Sequence, residues 1–344
     1  MKRWKIVLLV LAVLLVAGGA VGWKIWKQVF GPGPSFGVPD KVLLIPTGAG
    51  LDQVVDSLRA HGMIADELVF RRVAERKKYS HRVKPGRYVV RTGTSLNELI
   101  NKMRSGEQDP VRITFNTIHR LPELAGKVAG YLECDSVAML RVLLDPAVAQ
   151  QYGFTQEEFI GMFIPDTYEM WWTETPNDFV ARMAREYKSY WNDERKAKAG
   201  AVKLDQSEVS VLASIVQAET GVRTDAPTIA GVYLNRLRIG MPLQADPTLK
   251  YALGLDTVSR VLNIDKQIES PYNTYLHAGL PPGPINLPEK TYLDAVLNAT
   301  KHDYLYFCAS ETLDGRSNFA KTYEQHLVNA RRYHRALNER RIYR

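Results

Sequence analysis

An uncharged apolar run near the N-terminus constrains this chain more than any other feature. Residues 6–22 read IVLLVLAVLLVAGGAVG and contain no charged side chain. At a helical rise of about 1.5 Å per residue the run is roughly 26 Å long, the short end of a bilayer crossing. Trp4, Trp23 and Trp26 flank it where interfacial aromatic residues occur. The pattern therefore predicts a transmembrane anchor over residues 6–26.

Basic residues around this run predict its orientation. Three precede it and two follow it: Lys2, Arg3, Lys5, Lys24 and Lys27. The slight excess on the N-terminal side predicts a cytoplasmic tail over residues 1–5 and export of everything after about residue 30. A cleaved signal peptide is the alternative, but the run exceeds the usual apolar core of about 7–15 residues. We therefore expect a single-pass protein of the inner (plasma) membrane, with the rest of the chain in the periplasm or outside the cell.

The net charge of the chain is concentrated at its two ends. The 344 residues include 45 Lys and Arg against 37 Asp and Glu, a formal charge of +8. The first 41 and the last 25 residues carry +5 each, which leaves −2 for the 278 residues between them. Because the body of the protein is not basic, we expect no nucleic-acid partner.

Cysteine and histidine patterns give no indication of a metal or cofactor site. The two cysteines, Cys134 and Cys308, exclude a disulfide framework and a cysteine-rich metal module, and their own pairing stays open. The seven histidines show no H-E-x-x-H motif, and the chain has neither a G-x-S-x-G elbow nor a P-loop. We therefore predict no metal and no cofactor.

Periodicity after the anchor predicts an α+β protein. Glycine and proline mark a linker, which we place at residues 27–40. A small α+β unit then follows over residues 41–115, and a mostly helical region over 116–344. The small unit combines strands at 42–45, 87–90 and 111–115 with helices around 51–58, 68–73 and 96–103. In the helical region we expect helices near 121, 176–191, 206–219, 226–239 and 322–343, with residues 195–203 as a polar connector.

The helix predicted before Gly221 carries an unusual glutamate. Asp205 and Glu208 have capping-box spacing at its start, and Gly221 marks its end. An apolar stripe lies between them, formed by Val209, Leu212, Ala213 and Val216. Glu219 continues this stripe in the last turn, where desolvation and the negative end of the helix dipole both raise a carboxyl pKa. The pattern favours a general acid, although a glutamate at a fraying helix end could also bend into solvent.

The loops that follow combine planar amides, hydroxyls and tyrosines with rigid prolines. Aromatic faces and amides of this kind bind sugars, so these loops favour a polysaccharide cleft. The candidate substrate-binding residues are Asn235, Arg236, Gln244, Asp246, Thr248, Ser270, Tyr272, Asn273, Thr274, Tyr275 and Asn286. Each also has an ordinary structural alternative; Asp246 before Pro247, for example, has the pattern of a helix N-cap.

Several long blocks carry a family resemblance. ASIVQAETG, AGVYLNRLRIGMPLQADPTLKYALG, SPYNTYLHAGLPPGPIN and GMFIPDTYEM resemble the conserved blocks of the YceG-like (MltG) endolytic peptidoglycan transglycosylases. The resemblance covers nearly the whole chain. It implies a membrane-anchored enzyme with a LysM-like unit at 41–115 and a catalytic domain at 116–344 that cuts nascent glycan strands internally. It also implies a penicillin-binding protein as a partner, and Glu219 of the Glu219-Thr220 pair as the catalytic residue.

Two positions depart from the family pattern. Many relatives carry an acidic residue two positions before the catalytic glutamate, where this chain has Gln217. Glu219 is therefore the only carboxylate in its block. Relatives usually carry a histidine two residues before the position of Phe319, where this chain has Ser317.

The resemblance implies a reaction that needs one carboxyl group in two protonation states. Glu219 would protonate the MurNAc–GlcNAc oxygen and then accept the proton of the MurNAc C6 hydroxyl, which closes a 1,6-anhydro ring. A muramidase that hydrolyses the same bond is the first alternative, and it would need a second carboxylate such as Asp166 or Glu169. A non-catalytic glycan-binding scaffold of the wall-synthesis machinery is the second.

Overall fold

A computed structural model describes residues 2–254 and 262–340. Within those residues the chain forms fourteen α-helices, six short strands and two 3-10 helices, at Phe159–Met162 and Asp265–Gln267. The α-helices are α1 (Lys2–Phe30), α2 (Leu51–Ala60), α3 (Glu67–Arg76), α4 (Leu96–Ser105), α5 (Leu121–Ala129), α6 (Ser136–Leu143), α7 (Pro146–Gln151), α8 (Pro176–Tyr190), α9 (Asp193–Ala201), α10 (Gln206–Glu219), α11 (Ala226–Arg238), α12 (Asp246–Leu253), α13 (Lys290–Leu297) and α14 (Tyr323–Glu339). The strands are β1 (Asp40–Ile45), β2 (Gly86–Arg91), β3 (Val111–Phe115), β4 (Asp166–Met170), β5 (Tyr306–Ala309) and β6 (Ser317–Ala320). The α+β class is confirmed.

Helix α1 is longer than the span predicted from hydropathy. Trp4–Phe30 contains a window with a mean hydropathy of 2.7, and among the described residues this is the one helix long and apolar enough to cross a membrane. Residues 27–30, predicted to be linker, are helical, and the helix ends where the Gly31 amide bonds to the Lys27 carbonyl at 2.9 Å. The extended segment therefore begins at Gly31, where glycines and prolines interrupt the helix.

The chain divides into two compact units, of which the first comprises residues 1–113, 131–134 and 169–175. Strands β1 and β2 pair antiparallel, with Val42 opposite Val89, and the strand–helix–helix–strand–helix order predicted from periodicity is confirmed. Leu43, Tyr88 and Phe70 are fully buried in its core. The likeness of this unit to a LysM module stays a prediction.

The second unit comprises residues 114–130, 135–168 and 176–344. Stacked and edge-on rings fill part of its core, among them Phe115, Phe163 and Phe179. The polar connector predicted at 195–203 is wrong, because Asp193–Ala201 is helix α9. Its N-terminus is capped by the Asn192 side chain, and its alanines and its i,i+4 pair of Glu194 and Lys198 favour a helix.

Helix α10 is buried over most of its length. Its capping box forms as predicted, with the Glu208 amide 2.8 Å from the Asp205 carboxylate. Every residue from Val209 to Val216 is buried, and the helix packs on α11 and α13. Gly231 of α11 lies so close to the neighbouring backbone that a Cβ would stand 2.5 Å from the Thr300 oxygen. The packing against α11 and α13 holds α10 along its buried length.

The C-terminal segment forms a hairpin and a surface helix. Strands β5 and β6 pair antiparallel, with Phe307 opposite Phe319. Helix α14 begins after Thr322, whose hydroxyl caps it, and has no fully buried residue. Neither Cys308 in β5 nor Cys134 takes part in a disulfide bond within the described residues.

Candidate active site

Glu219 is the last residue of α10, and its side chain is half-buried. The hydroxyl of Tyr233 on α11 donates a hydrogen bond of 2.9 Å to Glu219 Oε1. Tyr233 is itself 1% exposed, so this contact lies at the inner side of the carboxyl group. Thr220 leaves the helix with extended backbone, and its carbonyl accepts a bond from the Tyr292 hydroxyl. The carboxyl group is thus held at a fixed helix end.

Burial raises the pKa of Glu219 from 4.5 to about 7. The hydrogen bond from Tyr233 lowers this pKa, the negative charge of Asp246 raises it, and the positive charges of Arg236 and Lys250 lower it. The sequence predicted a raised pKa from desolvation, which is the largest cause in the structure. A carboxyl group with a pKa near 7 can both donate and accept a proton close to neutral pH.

Three of the candidate binding residues present accessible side chains on neighbouring segments: Gln244, Asp246 and Tyr275. The Tyr275 hydroxyl donates a hydrogen bond of 2.6 Å to Asp246 Oδ1. The charge of Glu219 contributes to raising the pKa of Tyr275, which places this pair in the electrostatic environment of the glutamate. Asp246 is the first residue of α12, and Ala245 occupies the N-cap, so the N-cap alternative for Asp246 is wrong. Its carboxylate is free of a capping role and faces Tyr275.

Four other candidates are buried: Thr248, Asn273, Thr274 and Asn286. The Thr274 hydroxyl accepts from the Ala245 amide at 3.0 Å and lies 2.9 Å from the Thr248 hydroxyl. Asn273 donates to the carbonyls of residues 266 and 268, and its own oxygen accepts from the Tyr275 amide at 3.0 Å. Thr248, Asn273 and Thr274 thus join the 270–275 loop to the start of α12. Their burial gives them a positioning role, and direct contact with a glycan does not follow from this geometry.

The remaining four candidates also bond mainly to the protein. Asn235 donates to the carbonyls of residues 302 and 304, and the buried Arg236 donates to those of residues 305 and 243. Ser270 accepts from the Tyr272 amide at 3.2 Å, and the Tyr272 ring packs on a neighbouring tyrosine, Tyr251, at 4.7 Å between centroids. Asn235, Ser270 and Tyr272 are only half-buried, so they keep surface that a ligand could reach.

Gln217 fastens a loop to α10. Its side-chain oxygen accepts from the Glu289 amide at 2.7 Å, and its nitrogen donates to the Leu287 carbonyl at 3.3 Å. One turn earlier, the Ser214 hydroxyl accepts from the Ile285 amide and its carbonyl from Asn286. Gln217, at the position that is acidic in many relatives, therefore uses its side-chain amide to bond both a backbone N–H and a backbone carbonyl of this loop.

Sequence reasoning missed Tyr233, which makes the direct contact with Glu219. A buried tyrosine needs a partner for its hydroxyl, and that requirement was the available signal. Ser317, at the position where relatives usually have a histidine, donates its backbone N–H to the Asp225 carboxylate at 2.7 Å. The Asp225 side chain makes no capping bond to α11.

The two carboxylates considered for hydrolysis have other partners. Asp166 forms an ion pair with Lys290, and Glu169 is exposed and 4.0 Å from Arg112. Within residues 2–254 and 262–340, no three His, Cys, Asp or Glu side chains are grouped as metal ligands.

Comparisons with known proteins identify the family of this chain. The model of the YceG-like family matches residues 43–332. An endolytic murein transglycosylase of Bacillus subtilis is 30% identical over 312 residues, covering 86% of this chain and 85% of that protein. One from Streptococcus pneumoniae is 26% identical over 94% of this chain, which spans only 64% of that relative's length.

A solved structure is similar as well. The crystal structure of a putative YceG-like protein from Listeria monocytogenes superposes with a TM-score of 0.57 at 25% identity, covering 84% of this chain and 98% of that one. With a family model that matches most of its length and a relative at 30% identity, the chain belongs to the YceG-like family.

Proposed function

We propose that this protein is a membrane-anchored endolytic murein transglycosylase that cleaves the MurNAc–GlcNAc bond and leaves a 1,6-anhydroMurNAc end. The relatives with this name support the reaction class. The observation that carries the proposal is the half-buried Glu219, held by Tyr233 and with its pKa raised to about 7.

In the first step, protonated Glu219 donates its proton to the glycosidic oxygen. The bond between that oxygen and C1 of MurNAc breaks, the leaving sugar departs as an alcohol, and positive charge develops at C1 and the ring oxygen. The bond from Tyr233 to Oε1 keeps one carboxyl oxygen fixed, which leaves the other for the proton transfer. As the proton leaves, the same hydrogen bond stabilises the carboxylate that forms.

In the second step, the Glu219 carboxylate accepts the proton of the C6 hydroxyl of the same MurNAc. The C6 oxygen attacks C1 and closes the anhydro ring, and Glu219 returns to its protonated form. No water is consumed, so one carboxyl group suffices. A pKa near the operating pH suits a group that must donate and then accept within one cycle.

The accessible side chains of the 244–246 segment and of Tyr275 are the proposed contacts with the glycan. Gln244 offers an amide on a residue with φ of +50, and Tyr275 offers a ring beside the Asp246 carboxylate. The buried threonines and asparagines hold these segments in place. Helix α1 would anchor the protein in the inner membrane with its N-terminus in the cytoplasm and the catalytic unit outside.

Product analysis tests this proposal. The full chain in detergent is incubated with uncrosslinked glycan strands, and the fragments are measured by mass spectrometry. We expect ends that are lighter by one water than reducing ends, and at least about a hundredfold fewer of them from Glu219→Gln in the same time. Reducing ends would instead support a muramidase, with Asp246, whose charge acts on Glu219, as the carboxylate that activates water. Intact strands would support a non-catalytic scaffold.

A further inference from the structure

A second cavity lies in the catalytic unit at the other end of α10. It has a volume of about 560 Å³ and is bounded by α7, α8, α9 and the first residue of α10, Gln206. Thirteen helical rises of about 1.5 Å separate Gln206 from Glu219, so about 20 Å of helix lies between them. We call it the distal cavity, and the reaction at Glu219 does not use it.

The charged side chains that line the distal cavity are all basic. They are Arg185 and Lys188 on α8 and Lys196 on α9, and no acidic residue among those described lines it. Lys196 lies 3.9 Å from exposed Asp193, and neither Arg185 nor Lys188 has an ion-pair partner within residues 2–254 and 262–340. The charges of Asp205 and Glu158 act on Tyr187 from outside the lining, whereas the charged groups of the lining itself are these three cations, which favour an anionic ligand.

The floor of the distal cavity is aromatic and contains a buried donor. Phe154, Tyr187 and Trp191 form it. Trp191 is 1% exposed, and its indole N–H has no acceptor in hydrogen-bond geometry among the described residues. The Tyr187 hydroxyl is close enough to interact with this nitrogen but does not meet that geometry. The indole nitrogen faces Tyr187 inside the protein, so the floor offers a ligand the apolar surface of its rings, and the basic side chains supply the polar contacts.

An adjoining cavity of about 420 Å³ extends this surface to the N-terminus of α10. It shares Tyr152, Phe154 and Lys196 with the distal cavity and adds Asp205. The Asp205 carboxylate already accepts the Glu208 amide at 2.8 Å as the N-cap. The anion-binding part of the surface is therefore the α8–α9 side, where Arg185, Lys188 and Lys196 lie.

We infer that the distal cavity binds a carboxylate-bearing peptide attached to the glycan strand that is cut at Glu219. This rests on the proposed function, because murein carries short peptides whose free carboxylates are its anionic groups. Basic side chains at the rim fit the carboxylates, and the aromatic floor fits the aliphatic parts of such a peptide. At about 20 Å, the bound peptide belongs to a different sugar from the one whose bond breaks. A contact with a remote part of the substrate would favour cleavage inside a strand over cleavage at its end.

Binding of a small peptide tests this inference without any cleavage step. The full chain in detergent is titrated by calorimetry with muramyl-L-alanyl-D-glutamate, which has two free carboxylates and no glycosidic bond, and with its diamide. We expect the diamide to bind at least tenfold more weakly. The double variant Arg185→Glu/Lys188→Glu should lose at least tenfold in affinity for the acid. The matched control Arg331→Glu/Arg335→Glu, on exposed positions of α14, should bind it like the parent.

Trp191→Phe provides a second readout that keeps an aromatic ring in the floor. Peptide binding should change the tryptophan emission of the parent, and this change should disappear in Trp191→Phe, with a loss of a few-fold in affinity. If Trp191→Phe does not fold, Lys196→Glu, on the exposed side of α9, replaces it as the second variant, and the affinity for the peptide is measured and should fall.

Three outcomes would overturn the inference: no binding, equal binding of acid and diamide, or equal losses in the control pair. Preferential binding of a short-chain anionic phospholipid, with the same sensitivity to Arg185→Glu/Lys188→Glu, would assign the cavity to lipid and also overturn it. Since the probe cannot be cleaved, failure here leaves the product assay for Glu219 untouched, and failure of that assay leaves this binding result intact.

Discussion

Glu219 and Asp166 are two carboxylates of the same unit, both in blocks that resemble the family, with opposite surroundings. Glu219 is half-buried, and its described hydrogen-bond partner is the neutral hydroxyl of Tyr233. Asp166 is exposed at the start of β4 and pairs with the charged Lys290. Burial raises the pKa of Glu219 to about 7, whereas the hydrogen bond with Lys290 lowers the pKa of Asp166. Only a carboxyl group of the first kind can supply a proton near neutral pH.

The difference arises from where each residue stands on its element. Glu219 continues the apolar face of a helix that is buried for two turns before it, so the fold desolvates it. Asp166 begins a short strand, and the adjacent Thr167 amide donates to it at 2.7 Å. A charged partner and a backbone donor both stabilise the ionised form. The chemical role of a carboxylate therefore depends on its neighbours, and the motif that contains it does not determine that role.

The largest effect is expected when each carboxylate is replaced by its amide. Glu219→Gln should lower the rate of strand cleavage by about 10²–10⁴-fold, the usual contribution of a positioned general acid or base. Asp166→Asn should keep the rate within about twofold, because its partner is a surface lysine. Fragment release from uncrosslinked glycan, followed by chromatography, gives both rates under the same conditions. Comparable losses in the two variants would contradict the distinction drawn between them.

The pH dependence of stability should also separate the two carboxylates. Because the folded-state pKa of Glu219 is raised, the folded protein binds more protons than the unfolded chain between pH 4.5 and about 7. Ionisation in this window therefore costs stability as the pH rises, by at most about 3 kcal/mol. Solvent contact of the half-buried group reduces that figure.

Denaturant unfolding of Glu219→Gln and the parent at pH 4.5 and pH 8 measures this cost. The amide does not ionise, so the variant should gain stability relative to the parent as the pH rises. A stability difference that stays constant between the two pH values would show that the carboxyl group is not desolvated in the folded protein.

Much of the fold was predictable from local patterns, and much of the site was not. Apolar periodicity placed α10, α11 and the first unit, because each of these elements buries one regular face. The segment 193–201 has no apolar stripe, so periodicity alone predicts a connector there, although Asn192 caps the helix and its own residues favour it. The raised pKa of Glu219 was predictable, because a carboxylate that continues an apolar stripe is desolvated.

The substrate-binding candidates show where sequence reasoning stops. Thr274 and Tyr275 are adjacent and equally polar in sequence, yet Thr274 is buried against Thr248 and Tyr275 reaches an exposed carboxylate. Tyr233 contacts Glu219 only because two helices pack face to face. Such pairings depend on long-range packing, which no local pattern contains.

Two neighbours of Glu219 should move its pKa in opposite directions. The Tyr233 hydroxyl lowers this pKa, so Tyr233→Phe should raise it, while Asp246→Asn removes a negative charge and should lower it. Each shift should be about one unit or less, since a hydrogen bond or a solvent-screened charge contributes about 1 kcal/mol.

The alkaline limb of the pH dependence of kcat/KM reports these shifts. If the reaction begins with protonated Glu219, the limb moves to higher pH in Tyr233→Phe and to lower pH in Asp246→Asn. Absolute rates can fall in both variants, so the position of the limb is the diagnostic quantity. If the alkaline limb moved in the same direction in Tyr233→Phe and in Asp246→Asn, the arrangement described around Glu219 would be contradicted.

The smallest effect is expected at the Asp166–Lys290 pair. Both side chains are nearly half-exposed, and exposed ion pairs contribute between zero and about 1 kcal/mol. Because the folded-state pKa of Asp166 is lowered, this contribution is present above the ordinary aspartate pKa and is lost as the pH falls through the folded value. Asp166→Asn should therefore cost less than about 1 kcal/mol at pH 7 and nothing in strong acid, the reverse of the pH trend for Glu219→Gln.

Added salt should reduce the stability cost of Asp166→Asn at pH 7 further, since screening weakens exposed pairs. Unfolding midpoints of Asp166→Asn and the parent at low and high salt measure both effects. A large loss of stability that does not depend on salt would contradict the description of this pair as exposed.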